Sequence, residues 1–233
     1  EHIRADYGDQ DHLRQLADEV DLVTFEFESV PAETVAFLSQ FVPVYPCAES
    51  LRIARDRWFE KSMFKELSIP TPAFADIQSQ ADLDAAAAFV PFSGEVSLVA
   101  VRGRDGETRF YPLVHNTHDS GILSLSVASS DHPLQALAED YASRVLNKLN
   151  YVGVLAFEFF EVDGGLKANE IAPRVHGVVP DVSKVVAIDD CHLHHYGKAF
   201  KVGRKVGHAT LRCADRATLD AKIAAVQALI AQA

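Results

Sequence analysis

Val152-Gly153-Val154-Leu155-Ala156-Phe157-Glu158-Phe159-Phe160-Glu161-Val162, then Asp163-Gly164-Gly165, then Leu166-Lys167-Ala168-Asn169-Glu170-Ile171-Ala172, is the stretch that decides how this chain folds. Two apolar runs around a short glycine loop read as a β-hairpin. If Val162 faces Leu166, the numbers of opposed residues sum to 328, so Glu158 faces Glu170 and Glu161 faces Lys167. Alternation then places Leu155, Phe157, Phe159 and Ile171 on a core face. The glutamates fall on the other face with Val154, Ala156, Ala168 and Ala172, mostly small residues that leave room for a ligand. Carboxylates directly opposed lie about 5 Å apart and repel unless a cation or a proton sits between them. Magnesium suits such a pair, because it takes oxygen ligands from one or two carboxylates and completes its shell with water and phosphate oxygens. The alternative slips the register by one residue and leaves one carboxylate in water. A zinc hydrolase fits poorly, since no histidine stands at close spacing around the pair.

Working outward, Leu13, Leu16 and Val20 recur at helical spacing, Asp21 to Phe25 reads as a short buried strand, and Ser29-Val30-Pro31 starts another helix. That order predicts an α/β sheet, with Val42 to Pro46 as a further edge strand and a domain boundary near Pro46. Glu49 to Leu67 reads as one long helix with Leu51, Ala54 and Trp58 among its apolar positions; Arg57 and Lys61 share another face. Glu95 to Gly103, the Asp105-Gly106 turn and Thr108 to Asn116 predict a second hairpin. A helix opens at Asp131-His132-Pro133, with Leu134, Leu137, Tyr141, Val145 and Leu149 on one face. The last helix carries Leu219, Ile223, Val226 and Ile230.

A chain of 233 residues with 48% apolar and 24% charged residues is ordinary globular material, large enough for a real core. Its formal charge of −11 argues against nucleic acid and anionic membranes as partners, so an anionic ligand needs a local basic pocket. Lys198, Lys201, Arg204 and Lys205, beside Gly197, Gly203 and Gly207, offer one, although a solvated charged loop has the same composition. Cys47, Cys191 and Cys213 are odd in number and widely spaced, which points to reducing cytoplasm rather than a disulfide framework. No run approaches the ~20 apolar residues of a membrane span, and the first residues lack a signal-peptide pattern. Cys191-His192-Leu193-His194-His195 contains zinc-ligand types, but consecutive histidines do not readily converge on one ion, so a strand is expected there.

Glu158 followed by Ala168-Asn169-Glu170-Ile171-Ala172-Pro173-Arg174-Val175-His176 resembles the metal strands of ATP-grasp ligases, specifically the 5-(carboxyamino)imidazole ribonucleotide synthase family. Tyr196-Gly197-Lys198 with Gly203 to His208 resembles that family's C-terminal signature, and Thr24 to Pro31 resembles its acidic turn. Ser93 to Ser97 and Tyr111 to Asn116 match it as well, in the family's order. The resemblance implies an α/β and α+β protein with an ATP-grasp fold, divided as a partial N-terminal Rossmann-like domain (1–46), an ATP-grasp domain (47–176) and a small β-rich C-terminal domain (177–233). It implies Glu158 and Glu170 as magnesium ligands, with Arg57, Glu95, His118, Asn169 and Glu170 around ATP. Strict alternation turns Asn169 to the opposite face, so that role needs a bulge. Without the resemblance, Glu95 and His118 read as polar residues at strand ends. Arg174 and His176 would handle bicarbonate and the reacting intermediate, where a guanidinium fork suits carboxyphosphate charge. Lys198, Arg204 and Lys205 would hold the ribonucleotide phosphate, and Glu26, with Glu28 as a weaker candidate, the ribose hydroxyls.

The implied reaction is ATP-dependent carboxylation of 5-aminoimidazole ribonucleotide with bicarbonate, in a cytoplasmic homodimer. The rivals are another ATP-grasp ligase, such as formate-dependent glycinamide ribonucleotide transformylase, and a lidless binding module without catalysis. The Gly203 to His208 signature argues against the first. The family carries a lid subdomain between the positions of Ala88 and Phe89, and a further segment between those of His176 and Gly177; both are absent from this sequence. Either the chain is a shortened relative, or it is a longer protein whose mobile segments have dropped out of the numbering. The abrupt passage from Ala85-Ala86-Ala87-Ala88 into Phe89-Val90-Pro91, without turn chemistry, favours the second.

Overall fold

The structure, a computed structural model, describes residues 2–25, 29–77, 79–80, 91–119, 122–129, 131–173, 191–195, 207–211 and 213–230. They group into two compact units, 1–116 with 126–175, and 117–125 with 176–233.

In the first unit, α1 (Gln10–Glu19) begins where the Asp9 side chain accepts the His12 N–H, and β1 (Val23–Thr24) follows. Then come α2 (Ala32–Leu38) and β2 (Val44–Tyr45), which pairs in parallel with β1. The strand expected over Asp21 to Phe25 is shorter and less buried: Leu22 and Thr24 are exposed and Val23 is half-buried. Ala17, Val35, Leu38, Val44 and Leu51 form a small core here.

The long helix expected from Glu49 to Leu67 is two helices, α3 (Ala48–Arg55) and α4 (Arg57–Glu66). Asp56 between them is extended, and its carboxylate accepts the N–H groups of Trp58 and Phe59, so an N-cap competes successfully with helix continuation. The break turns Trp58 and Phe59 outward.

The larger sheet contains β3 (Gly94–Arg102), β4 (Thr108–Phe110), β5 (Val114–Asp119), β6 (Ile122–Ala128), β7 (Gly153–Val162) and β8 (Gly165–Ala172). Its order is β6-β5-β3-β7-β8, with β4 also on β3. The strand expected over Thr108 to Asn116 is interrupted at Tyr111-Pro112-Leu113; β4 pairs with 100–102 and β5 with 95–97 of β3. One sheet face packs on α4 and on α5 (Gln135–Lys148), burying Phe64, Val96, Leu98, Val145, Leu155, Phe157, Phe159 and Ile171. Phe157 stacks on Phe64 with ring centroids 5.3 Å apart.

In the second unit, β9 (Cys191–His195) pairs antiparallel with β10 (Gly207–Leu211), and α6 (Arg216–Ile230) follows. The cysteine-histidine run is thus the strand expected of it.

Candidate active site

The β7–β8 hairpin turns on two residues, Asp163 and Gly164, with φ of 52° and 73°, and Val162 pairs with Gly165. Positive φ at both positions is the type I′ pattern that an Asp-Gly pair favours. The loop is therefore one residue shorter than the expected Asp163-Gly164-Gly165. Glu161 faces Leu166 and Lys167 faces Phe160, so the expected Glu161–Lys167 pair is not formed.

Farther from the turn the register shifts between Glu158 and Phe159: Phe159 faces Ala168, and Glu158 faces Glu170. Asn169 is the extra residue, the bulge that its expected role required. Below the bulge Leu166 and Ala168 point into the core, whereas above it Ile171 does. Ala168 was expected beside the glutamates, and the bulge carries it to the opposite face.

Glu158 and Glu170 thus face each other on the side of the sheet away from the core, both partly accessible. Ser97 is the register partner of Glu158 on β3, and alternation along β3 puts Glu95 on the same face. Asn116 donates to Ser97 Oγ at 3.0 Å and accepts from Ser126 Oγ at 2.7 Å, a polar line that no spacing in the sequence foretells. Arg57, at the first position of α4, forms an ion pair with Glu170 and another with Glu60 Oε2 at 2.7 Å. The structure therefore brings Arg57, Glu95, Glu158, Asn169 and Glu170 onto or beside one sheet face. His118 lies on β5 in the part that belongs to the second unit. Arg174, His176, Lys198, Arg204, Lys205, Glu26, Glu28 and Lys201 lie outside the described residues.

Behind this face are two charged residues: Glu60, which sequence reasoning passed over, and Lys61, which it placed with Arg57 on a face apart from the apolar positions and which is instead buried while Arg57 is exposed. Glu60 is fully buried and Lys61 nearly so. Burial raises the Glu60 carboxyl, opposed by the Ile171 N–H and by Arg57 and Lys61. Burial likewise pulls Lys61 down to about 8, opposed by the charge of Glu60. A Glu-Lys pair in an otherwise apolar helix face was the available signal.

On the core face near the turn, His115, His132 and Glu161 bring donor atoms within 4.8 Å of one another. Gly94, opposite Glu161, leaves the space: a Cβ there would meet Glu161 Oε2 at 2.7 Å. His132 Nδ1 accepts the Leu134 N–H at 3.2 Å, which assigns the proton of the neutral ring to Nε2, 3.5 Å from Glu161 Oε1. A metal would need the lone pair of that nitrogen, so the cluster reads as an imidazole–carboxylate contact.

Chemically, the outer face offers two opposed carboxylates and a cationic head beside them. The opposed pair itself offers hard oxygen donors, and the guanidinium at Glu170 shows that a positive group fits there.

Residues 1–55 match the ribonucleotide synthetase preATP-grasp domain, 85–179 the ATP-grasp domain, and 168–222 the phosphoribosylaminoimidazole carboxylase C-terminal domain. The chain is 64% identical to the N5-carboxyaminoimidazole ribonucleotide synthase of Pseudomonas aeruginosa, over 99% of this chain and 88% of that protein. That alignment spans 317 positions against the 233 residues here, so it crosses stretches with no counterpart in this chain. The crystal structure of N5-carboxyaminoimidazole ribonucleotide synthetase from Thermus thermophilus superposes with a TM-score of 0.85 at 34% identity, over 97% of this chain and 86% of that one. The Aspergillus clavatus N5-carboxyaminoimidazole synthase, in complex with ADP and 5-aminoimidazole ribonucleotide, gives 0.81 at 17% identity, over 100% and 87%, and shares the fold.

Proposed function

We infer the function of this chain from its membership of a family: it belongs to the N5-carboxyaminoimidazole ribonucleotide synthases. It is an ATP-grasp ligase of purine biosynthesis that makes N5-carboxyaminoimidazole ribonucleotide with the help of ATP.

In the finer reading, ATP transfers its terminal phosphoryl group to bicarbonate, giving ADP and carboxyphosphate. Loss of phosphate then yields carbon dioxide, whose carbon bonds to the exocyclic amine of 5-aminoimidazole ribonucleotide as that amine gives up a proton. Glu158 and Glu170 would hold magnesium, which supplies charge neutralisation for the transferring phosphoryl group. The observation that carries this is the register pairing of those two carboxylates on an accessible sheet face. Without a cation they would repel, and in this structure Arg57 supplies one to Glu170.

Arg57, Glu95 and His118 would then serve ATP, with Asn169 at its phosphates. Arg174 and His176 orient bicarbonate and the intermediate; Lys198, Arg204 and Lys205 bind the ribonucleotide phosphate, and Glu26 its ribose. Domain limits near Pro46 and His176, a homodimer and a cytoplasmic location belong to the same reading. Among the described residues, no helix is long and apolar enough to cross a membrane.

The test is ADP release with magnesium, ATP and bicarbonate, with and without 5-aminoimidazole ribonucleotide. Strong stimulation by the ribonucleotide is expected; equal rates would refute it as the acceptor.

A further inference from the structure

Among the described residues β8 is the last strand of its sheet, and no described strand pairs with its outward N–H and C=O groups. Around the bulge these outward groups bond to side chains or a loop instead. The Ala168 N–H donates to the Pro70 carbonyl at 2.7 Å, and the Ala168 carbonyl accepts from Thr71 Oγ1 at 2.8 Å and from Lys61 Nζ at 3.1 Å. Lys61 Nζ also donates to the Asn169 carbonyl, and the Ile171 N–H donates to Glu60 Oε1 at 2.7 Å. Consecutive residues Glu60 and Lys61 thus supply an acceptor and a donor where a further strand would have stood.

The contact of one ammonium with two successive carbonyls is diagnostic. In a regular strand successive carbonyls point to opposite edges, so one group reaches both only where the backbone is bulged. The dependence runs in both directions. With Lys61 gone, the Ala168 carbonyl keeps Thr71 Oγ1 but the Asn169 carbonyl loses its ammonium donor, and a buried acceptor without a partner is costly. Flattening the bulge would relieve that cost. It would also slip the upper half of β8 by one residue relative to its lower half, and a one-residue slip moves side chains to the other face.

We propose that Lys61, with Glu60 beside it, is a positioning residue: it holds the bulge at Asn169 and thereby keeps Glu170 opposite Glu158. It touches no substrate and acts through backbone carbonyls. The proposal rests on the reading of these carboxylates as magnesium ligands for its consequence, although not for its geometry.

The experiment uses Lys61→Met, which keeps the aliphatic stem and removes the ammonium, and Lys61→Arg, which restores a cation. A crystal structure of the Met variant is expected to show the register at Glu158 changed from Glu170, or residues 168–170 without a single conformation. Binding of Mn2+ in the presence of ADP, read by paramagnetic resonance, is expected to weaken about 10–100-fold in the Met variant, the range for lost supports behind metal ligands, and to recover in large part with Arg. A folded Met variant that retains the bulge and the Glu158–Glu170 pairing overturns the proposal. Should it fail to fold, Lys61→Gln, which keeps one donor without the charge, is judged by the same register criterion. If the wild-type protein itself binds no Mn2+ with ADP, the magnesium reading fails, while the register of the variant still decides the role of Lys61.

Discussion

Glu170→Gln separates a structural role from a chemical one. The substitution is nearly isosteric and removes one negative charge. Its structural cost is small, because the Arg57–Glu170 pair is half open to water: the two side chains are 58% and 25% exposed. Pairs of that kind contribute about 0–1 kcal/mol. Arg57 also keeps Glu60, at 2.7 Å, and Glu158 is relieved of a facing carboxylate. Stability should therefore change by no more than about 1 kcal/mol, a shift of about 2–4 °C in Tm for a chain of this length. The cost to a bound cation is larger. A unit charge at about 4 Å, with an effective permittivity near 20, is worth about 4 kcal/mol. At about 1.4 kcal/mol per decade that is roughly a thousandfold in affinity. ADP release measured against magnesium concentration should collapse, while thermal unfolding stays near wild type. Turnover and magnesium dependence like those of wild type would refute the metal assignment, and a large loss of Tm would make Glu170 a structural residue.

Three further outcomes follow from particular side chains. The pKa of Lys61 is lowered to about 8 from the ordinary 10.5, so between those values the unfolded chain holds a proton that the folded chain has released. Wild type should therefore gain stability relative to Lys61→Met as pH rises from 8 to 10.5, by at most about 3 kcal/mol; urea unfolding at both ends of the range checks this, and a flat or falling difference would count against it. Gly164 has φ of +73° and open space within 4 Å of where a Cβ would sit, so Gly164→Ala pays in conformation alone and should lose about 1 kcal/mol in chemical denaturation. Phe157 is fully buried against Phe64 and Phe159, and Phe157→Ala should cost about 3–5 kcal/mol by the same measurement.

Much of the architecture was readable because burial leaves periodic marks. The apolar face of α5 and the core face of β7 follow from spacing alone: Tyr141, Val145, Leu149, Leu155, Phe157 and Phe159 are buried, and Leu134 and Leu137 partly so. The division of one expected helix into α3 and α4 was harder, because Asp56 has the same appearance in a helix face as at a cap. Only its two backbone hydrogen bonds distinguish them. The burial of Glu60 and Lys61 was hidden for a related reason: charged residues default to solvent, and what buries these two is the open edge of β8, a tertiary feature.

The glutamate pair was reached by two departures that cancel. Counting the turn as three residues raises the sum of opposed numbers by one along the whole hairpin; the real turn has two residues, and the bulge at Asn169 adds the missing one only beyond Phe159. The far end of the hairpin therefore agreed with simple arithmetic, while the near end, Glu161 against Leu166, did not. The sequence did contain the distinction. Leu166 and Ile171 are five residues apart, an odd separation, and a regular strand can bury only one of them. Both are in the core, so a strand that keeps both must carry an extra residue between them. Asp163-Gly164 independently asks for a two-residue turn. Taken together, the turn chemistry and the apolar parity require the bulge, and the bulge sets Glu170 opposite Glu158.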